Sequence, residues 1–116
     1  MDVLMERDAA GHLGCTLVDR EATATLVAAD LADAAEDLEA ALADARDGGY
    51  GECVWQLTDG EYKWLFRRTG NRTDVVVLWS AGVVTGWQHV FRSETDAAEL
   101  DARVAQELAR VRQDRS

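Results

Sequence analysis

The chain of 116 residues has no proline and no isoleucine, and Lys63 is its one lysine against 11 arginines. No Pro-rich or Ser-rich linker, low-complexity stretch or internal repeat of roughly 20 to 50 residues divides it, so residues 1–116 are expected to form one domain, frayed at about 113–116. The missing isoleucine and the arginine bias fit GC-rich codon usage, which concerns the source more than the fold. Two cysteines, Cys15 and Cys53, stand too far apart for a C-x-x-C pair and are expected to be small buried side chains rather than a disulfide. Two isolated histidines, His12 and His89, do not make a ligand set, so no metal is expected. No apolar run of about 18 residues offers a membrane span, and Asp2 and Glu6 stand where a secretory signal would carry positive charge. A cytoplasmic protein is the expectation.

Positive charge is also scarce. The 22 acidic residues outnumber 12 basic ones for a formal charge of -10, which repels phosphate backbones and anionic lipid and argues against nucleic-acid and membrane partners. Yet 47% of the residues are apolar, enough for a chain of this length to bury about two-thirds of its unfolded surface. A folded domain is expected.

Glycine supplies the punctuation. Strand-like runs at residues 3–6 and 12–18 flank Ala9-Ala10-Gly11 and predict a hairpin. From about Thr25 to Arg46, Val27, Leu31, Ala35, Leu38, Leu42 and Ala45 recur at spacings of three and four. That is the period of an amphipathic helix, capped by Thr23 or Thr25 and stopped at Gly48-Gly49. Gly51 is read as part of the same cap and turn. Four strand-like runs follow: Glu52 to Thr58, Glu61 to Arg68, Asp74 to Ser80 and Val83 to Arg92. Asp59-Gly60 between the first two is a type I′ hairpin signal. The unbroken run Val75-Val76-Val77-Leu78-Trp79 predicts a strand near the sheet centre with both faces at least partly covered. A last helix starts near Asp96, which can cap it, and carries a buried stripe of Ala97, Leu100, Val104, Leu108 and Val111. Glu99, Arg103 and Glu107 occupy its exposed side. The predicted class is α+β: one antiparallel sheet, made of the hairpin and a four-stranded meander, packed by two helices in the order ββαββββα.

Catalytic motifs are missing. No Gly-rich phosphate loop, G-x-S-x-G elbow or H-E-x-x-H segment occurs, and no cofactor is implied. The most enzyme-like grouping joins Cys53, His89 and Glu52 or Glu61, but Cys53 alternates with Trp55 and Leu57 on a core-facing side where a thiol is inert. A non-enzymatic role is expected.

Two features stand out. Residues 21–47 hold eight acids against Arg46, whereas residues 50–92 hold four acids against five bases. Such a polarised charge either solvates a helix face or steers a basic partner. All four tryptophans, with Tyr50, Tyr62, Phe66 and Phe91, lie in residues 50–91. They fill a core or anchor a binding site. The leading expectation is a small domain that docks a basic protein, in the manner of a bacterial immunity or antitoxin-like antidote or a secretion chaperone. Asp30, Asp33, Asp37 and Asp44 would steer that partner, and Tyr62, Trp64 and Phe66 would anchor it. The alternative is a ligand or enzymatic pocket lined by Trp55 and Trp87 with His89 or Arg67 as its polar group. A third reading makes self-association, as a homodimer, the main interface.

Overall fold

Alternation of small apolar and polar residues decides the first quarter of the chain. In the computed structural model, which describes residues 1–20, 22–82 and 86–113, three strands form there: β1 (Asp2–Arg7), β2 (Leu13–Asp19) and β3 (Ala22–Ala28). Val3 and Met5, then Leu13, Cys15 and Leu17, then Ala24, Leu26 and Ala28 are buried at every second position, which a strand delivers to one face. Gly11 makes the first turn at φ +87, as the sequence predicts.

The predicted helix start is corrected by this pattern. Residues Ala22–Ala28 are the third strand, so the segment from Thr25 to Ala28 is not the first turn of a helix. Val27, expected in the buried helical stripe, is exposed on that strand, because Thr23, Thr25 and Val27 alternate with the buried set. Helix α1 runs from Leu31 to Gly48, and its N-cap is Asp30, whose side chain accepts from the Asp33 N–H at 3.0 Å. Ala35, Leu38, Leu42 and Ala45 are buried as anticipated. Gly49 closes the helix at φ +86, its N–H donating to the Ala45 carbonyl at 2.9 Å.

Four strands and a helix follow: β4 (Tyr50–Leu57), β5 (Gly60–Thr69), β6 (Arg72–Ser80), β7 (Gln88–Asp96) and α2 (Ala97–Gln113). The β4–β5 connection is shifted from its predicted place. Leu57 pairs with Gly60, so Thr58 and Asp59 form the turn and neither takes the positive φ of a type I′ turn. Gly60 is needed for room instead: a Cβ there would lie 2.5 Å from the Trp79 ring and from the Ser80 carbonyl oxygen. Val83, the predicted start of the last strand, lies outside the described residues, and β7 begins at Gln88. Strand β6 sits between β5 and β7 with Val75 and Val77 fully buried, an inner position as expected. Asp96 caps α2 by accepting from the Glu99 N–H at 2.9 Å, and all five predicted stripe residues are buried.

The expected order of hairpin, helix, four strands and helix is present, with β3 added before α1. The strands make two antiparallel sheets rather than one, β1-β2-β3 and β4-β5-β6-β7. They meet where the Ala29 N–H donates to the Gln56 carbonyl at 3.3 Å. Asp30 caps the helix immediately beyond, so the chain leaves the sheet edge before a second strand pairing can form. One cluster of buried side chains, from Val3 to Val111, joins both sheets and both helices.

Candidate functional site

Helix α1 lies along the outermost strand of the larger sheet. The Trp55 indole N–H donates to the Ala34 carbonyl at 3.2 Å, and Gly51 packs so closely that a Cβ on it would lie 1.9 Å from the Ala41 carbonyl oxygen. Seven helical residues advance about 10 Å and four strand residues about 13 Å, so the two contacts describe a helix antiparallel to β4 over about two turns. Gly51, expected in a turn, is therefore a strand residue whose missing side chain lets the helix approach.

Beside these contacts a groove of about 610 Å³ opens, bounded by α1, by β4 from Glu52 to Gln56, and by Ala28 and Ala29 at one end. Asp30, Asp33, Asp37 and Asp44 all line it, together with Glu52 of β4. Their spacing of three, four and seven residues is what sets side chains on one helical face. The four aspartates chosen from charge segregation alone are thus brought together, and no lysine or arginine lines the groove with them. Among the described residues, Asp33, Asp37 and Asp44 form no ion pair. Glu39, also on α1, pairs with Arg112 of α2 at 2.7 Å. The helix thus places Glu39 toward α2 and Asp33, Asp37 and Asp44 toward the groove.

The strand side of the groove carries unused backbone groups. Among the described strands, β4 pairs with β5 alone. The Gly49 carbonyl accepts from Arg68 of β5 at 2.8 Å, while the Gln56 carbonyl points the other way, to Ala29. Backbone direction alternates along a strand, so the N–H and C=O of Glu52 and Val54 point with those of Gln56, away from β5 and along the groove. No protein group among the described residues hydrogen-bonds to them. The sequence offered no signal for this edge, because strand order is a tertiary property.

The aromatic residues expected as docking anchors lie elsewhere. Trp64 and Phe66 are core, at 2% and 0% exposure, beyond a partner's reach in this fold. Their rings stack at 5.8 Å, and Trp64 meets Trp55 at 5.1 Å. Tyr62 is half-buried against Trp79 at 4.6 Å. The inner face of the four-stranded sheet holds these rings because both helices cover it.

The alternative pocket residues do not converge. Trp55 is buried at 1% exposure under α1, whereas Trp87 is exposed at 42% beside Lys63, whose ammonium lies 5.4 Å from its ring. Trp87 borders a second hollow of about 510 Å³ with Gly60, Ser80 and Gly86, which none of Trp55, His89 and Arg67 lines. His89 is exposed and pairs with Leu78, while Arg67 pairs with Asp74, four residues away along β6. That is roughly 13 Å of strand.

The Cys–His grouping fails on the same geometry. Cys53 faces the core opposite Trp64 on β4, and His89 lies three strands away on β7. Burial, reinforced by the nearby Asp37 and Glu52 carboxylates, pushes the Cys53 thiol up to about 12. Burial and the charge of Glu107 raise Cys15 to about 12 as well. Both are neutral thiols at physiological pH, unsuited to nucleophilic attack. Among the described residues no three His, Cys, Asp or Glu side chains converge as a metal site, and no helix is long and apolar enough to cross a membrane.

No protein-family model, curated protein or solved structure matches the chain.

Proposed function

We propose that the chain is a single non-enzymatic binding domain that docks a basic protein partner on the groove between α1 and β4. The observation that carries this reading is the groove itself: five carboxylates and no cation, at a site where the fold leaves the helical acids unpaired. A partner presenting lysine or arginine gains charge-assisted hydrogen bonds with Asp33, Asp37 and Asp44 without breaking an internal ion pair first, whereas Glu52 already pairs with Lys63 at 3.6 Å. The long-range field of a chain at -10 speeds the encounter, and the groove fixes where it ends. An antidote that covers a basic toxin and a chaperone that shields a basic segment both have this chemistry. The docking determinants are Asp30, Asp33, Asp37 and Asp44 with Glu52, and the aromatic anchors drop out.

The test is capture from the source lysate at low salt, with wild type and an Asp33→Asn/Asp37→Asn/Asp44→Asn variant run side by side. A basic protein held stoichiometrically by wild type, eluted by salt and absent from the variant is the expected result. A partner retained equally by both proteins removes the groove from the function.

A further inference from the structure

The same fold solves an identical edge problem twice, once with side chains and once with nothing. Strand β1 is an outer strand, and α2 closes its edge: the Met5 N–H donates to Glu107 Oε1 at 2.8 Å, and the Val3 carbonyl accepts from Arg103 Nε at 3.1 Å. The Met5 carbonyl accepts from Arg110. A carboxylate serves the donor and guanidinium groups serve the acceptors. Beside β4, α1 brings carboxylates only, which cannot donate to the carbonyls of Glu52 and Val54. The missing components are backbone-type donors and cations, and one occupant brings both.

We infer that the groove is a strand-addition site: an extended segment of the basic partner pairs with β4 at Glu52 and Val54 and points alternate arginine or lysine side chains at the acids of α1. This inference rests on the docking reading above and specifies how the partner is held. An added strand lies about 4.8 Å from β4, and its side chains alternate between the two sheet faces. Those on the helix-covered face meet Asp33, Asp37 and Asp44. Asp33 and Asp37 are four helical residues apart, about 6 Å, close to the roughly 6.7 Å between alternate strand residues. Those on the other face lie beside Val54 and the exposed Tyr50, with Glu52 between them already neutralised by Lys63 at 3.6 Å and bonded to the Tyr50 hydroxyl, so apolar side chains pack there without needing a charge. The Ala29–Gln56 hydrogen bond stops the segment at one end, leaving an edge of about five residues from Tyr50 to Val54. The predicted ligand alternates basic and apolar residues.

The experiment uses the full chain and two synthetic peptides of about seven residues alternating arginine and valine, with blocked ends. The second peptide is N-methylated at every other amide, on the edge that faces β4. Charge and side chains are the same in both, so only backbone pairing differs. At low salt the plain peptide is expected to bind at least about tenfold tighter than the methylated one. A Val54→Pro variant, which removes an edge N–H that β5 does not use, should keep its fold and lose the same preference. Equal affinity of the two peptides overturns strand addition and leaves acidic docking standing. A methylation effect that survives Asp33→Asn/Asp37→Asn/Asp44→Asn with undiminished affinity overturns acidic docking and leaves the edge. Binding of neither peptide overturns the alternating basic segment as the occupant.

Discussion

Strands β1 and β4 are both outer strands with a helix alongside, yet one edge is closed and the other is open. The difference lies in the mixture of charges on the neighbouring helix. Along α2, Arg103, Glu107 and Arg110 alternate in sign, so the Met5 N–H and the Val3 and Met5 carbonyls each find a complement. Along α1 the facing residues carry one sign, and the strand edge beside them stays unused. An edge closed by its own chain contributes stability, whereas an open edge flanked by like charges stores unsatisfied bonding capacity that another chain can use. On the docking reading proposed above, the two regions divide stability from recognition.

The comparison breaks most severely at Gly51. Gly51→Ala drives a Cβ into the Ala41 carbonyl, which is backbone and cannot rotate aside, so α1 must lift from β4. A loss of about 3 kcal/mol is expected in chemical denaturation, a large share of a small domain's stability. An unchanged midpoint would mean that α1 is not held at this distance and that the groove has no fixed width. Next comes the closed edge. Glu107→Ala leaves the buried Met5 N–H without its acceptor and Arg110 without its carboxylate, for an expected loss of about 2 kcal/mol. Asp37→Ala, on the open edge, should stay within about 0.5 kcal/mol of wild type. Equal losses at the two positions would abolish the distinction between the edges.

How much of this was legible in the residues depends on the range of the interaction. The α2 stripe from Ala97 to Val111 and the caps at Gly49 and Asp96 are local patterns, and they read correctly. The stretch from Ala22 to Ala28 read wrongly because Val27 and Leu31 are four apart, as in a helix, while Ala24, Leu26 and Ala28 are two apart, as in a strand. Pairing with β2 decides for the strand. The groove aspartates were visible as a run of one charge, but the β4 edge opposite them was not, since nothing in residues 52–56 says which neighbour is absent. Glu107 was read as solvated from its spacing with Glu99 and Arg103. Its burial follows from the docking of β1, about a hundred residues away in sequence, on the polar side of a helix that looked free.

Acid sharpens the comparison by a smaller amount. Hydrogen bonding from Arg110, aided by the Met5 N–H and the charges of Arg110 and Arg103, holds the Glu107 carboxyl below its ordinary range. A carboxylate lowered in the folded state contributes stability that is full above its unfolded value of 4.5 and fades as pH falls through the folded value. Wild type should therefore lose melting temperature below about pH 4.5 more steeply than Glu107→Gln, whose amide does not titrate. Parallel curves would show that the closed edge does not depend on that charge.

The smallest stability effect is expected at the open edge, where it is the most informative. In Asp33→Asn/Asp37→Asn/Asp44→Asn two local terms oppose each other. Asp33 sits in the first turn of α1, where a negative charge is favoured, so its loss costs a few tenths of a kcal/mol. Asp44 lies before the last turn, and removing the Asp33–Asp37 repulsion at i, i+4 gives a comparable gain. The melting temperature should move by no more than a degree or two, in line with a net change under about 0.5 kcal/mol. Partner association should slow markedly at about 50 mM salt and little at about 500 mM, where screening already removes the steering field. An association rate equal at both salt levels for wild type would separate the charge from the docking. A variant that melts several degrees lower would place these aspartates in the stability of α1, as the acids of α2 are in that of β1, and the division of labour between the two edges would be lost.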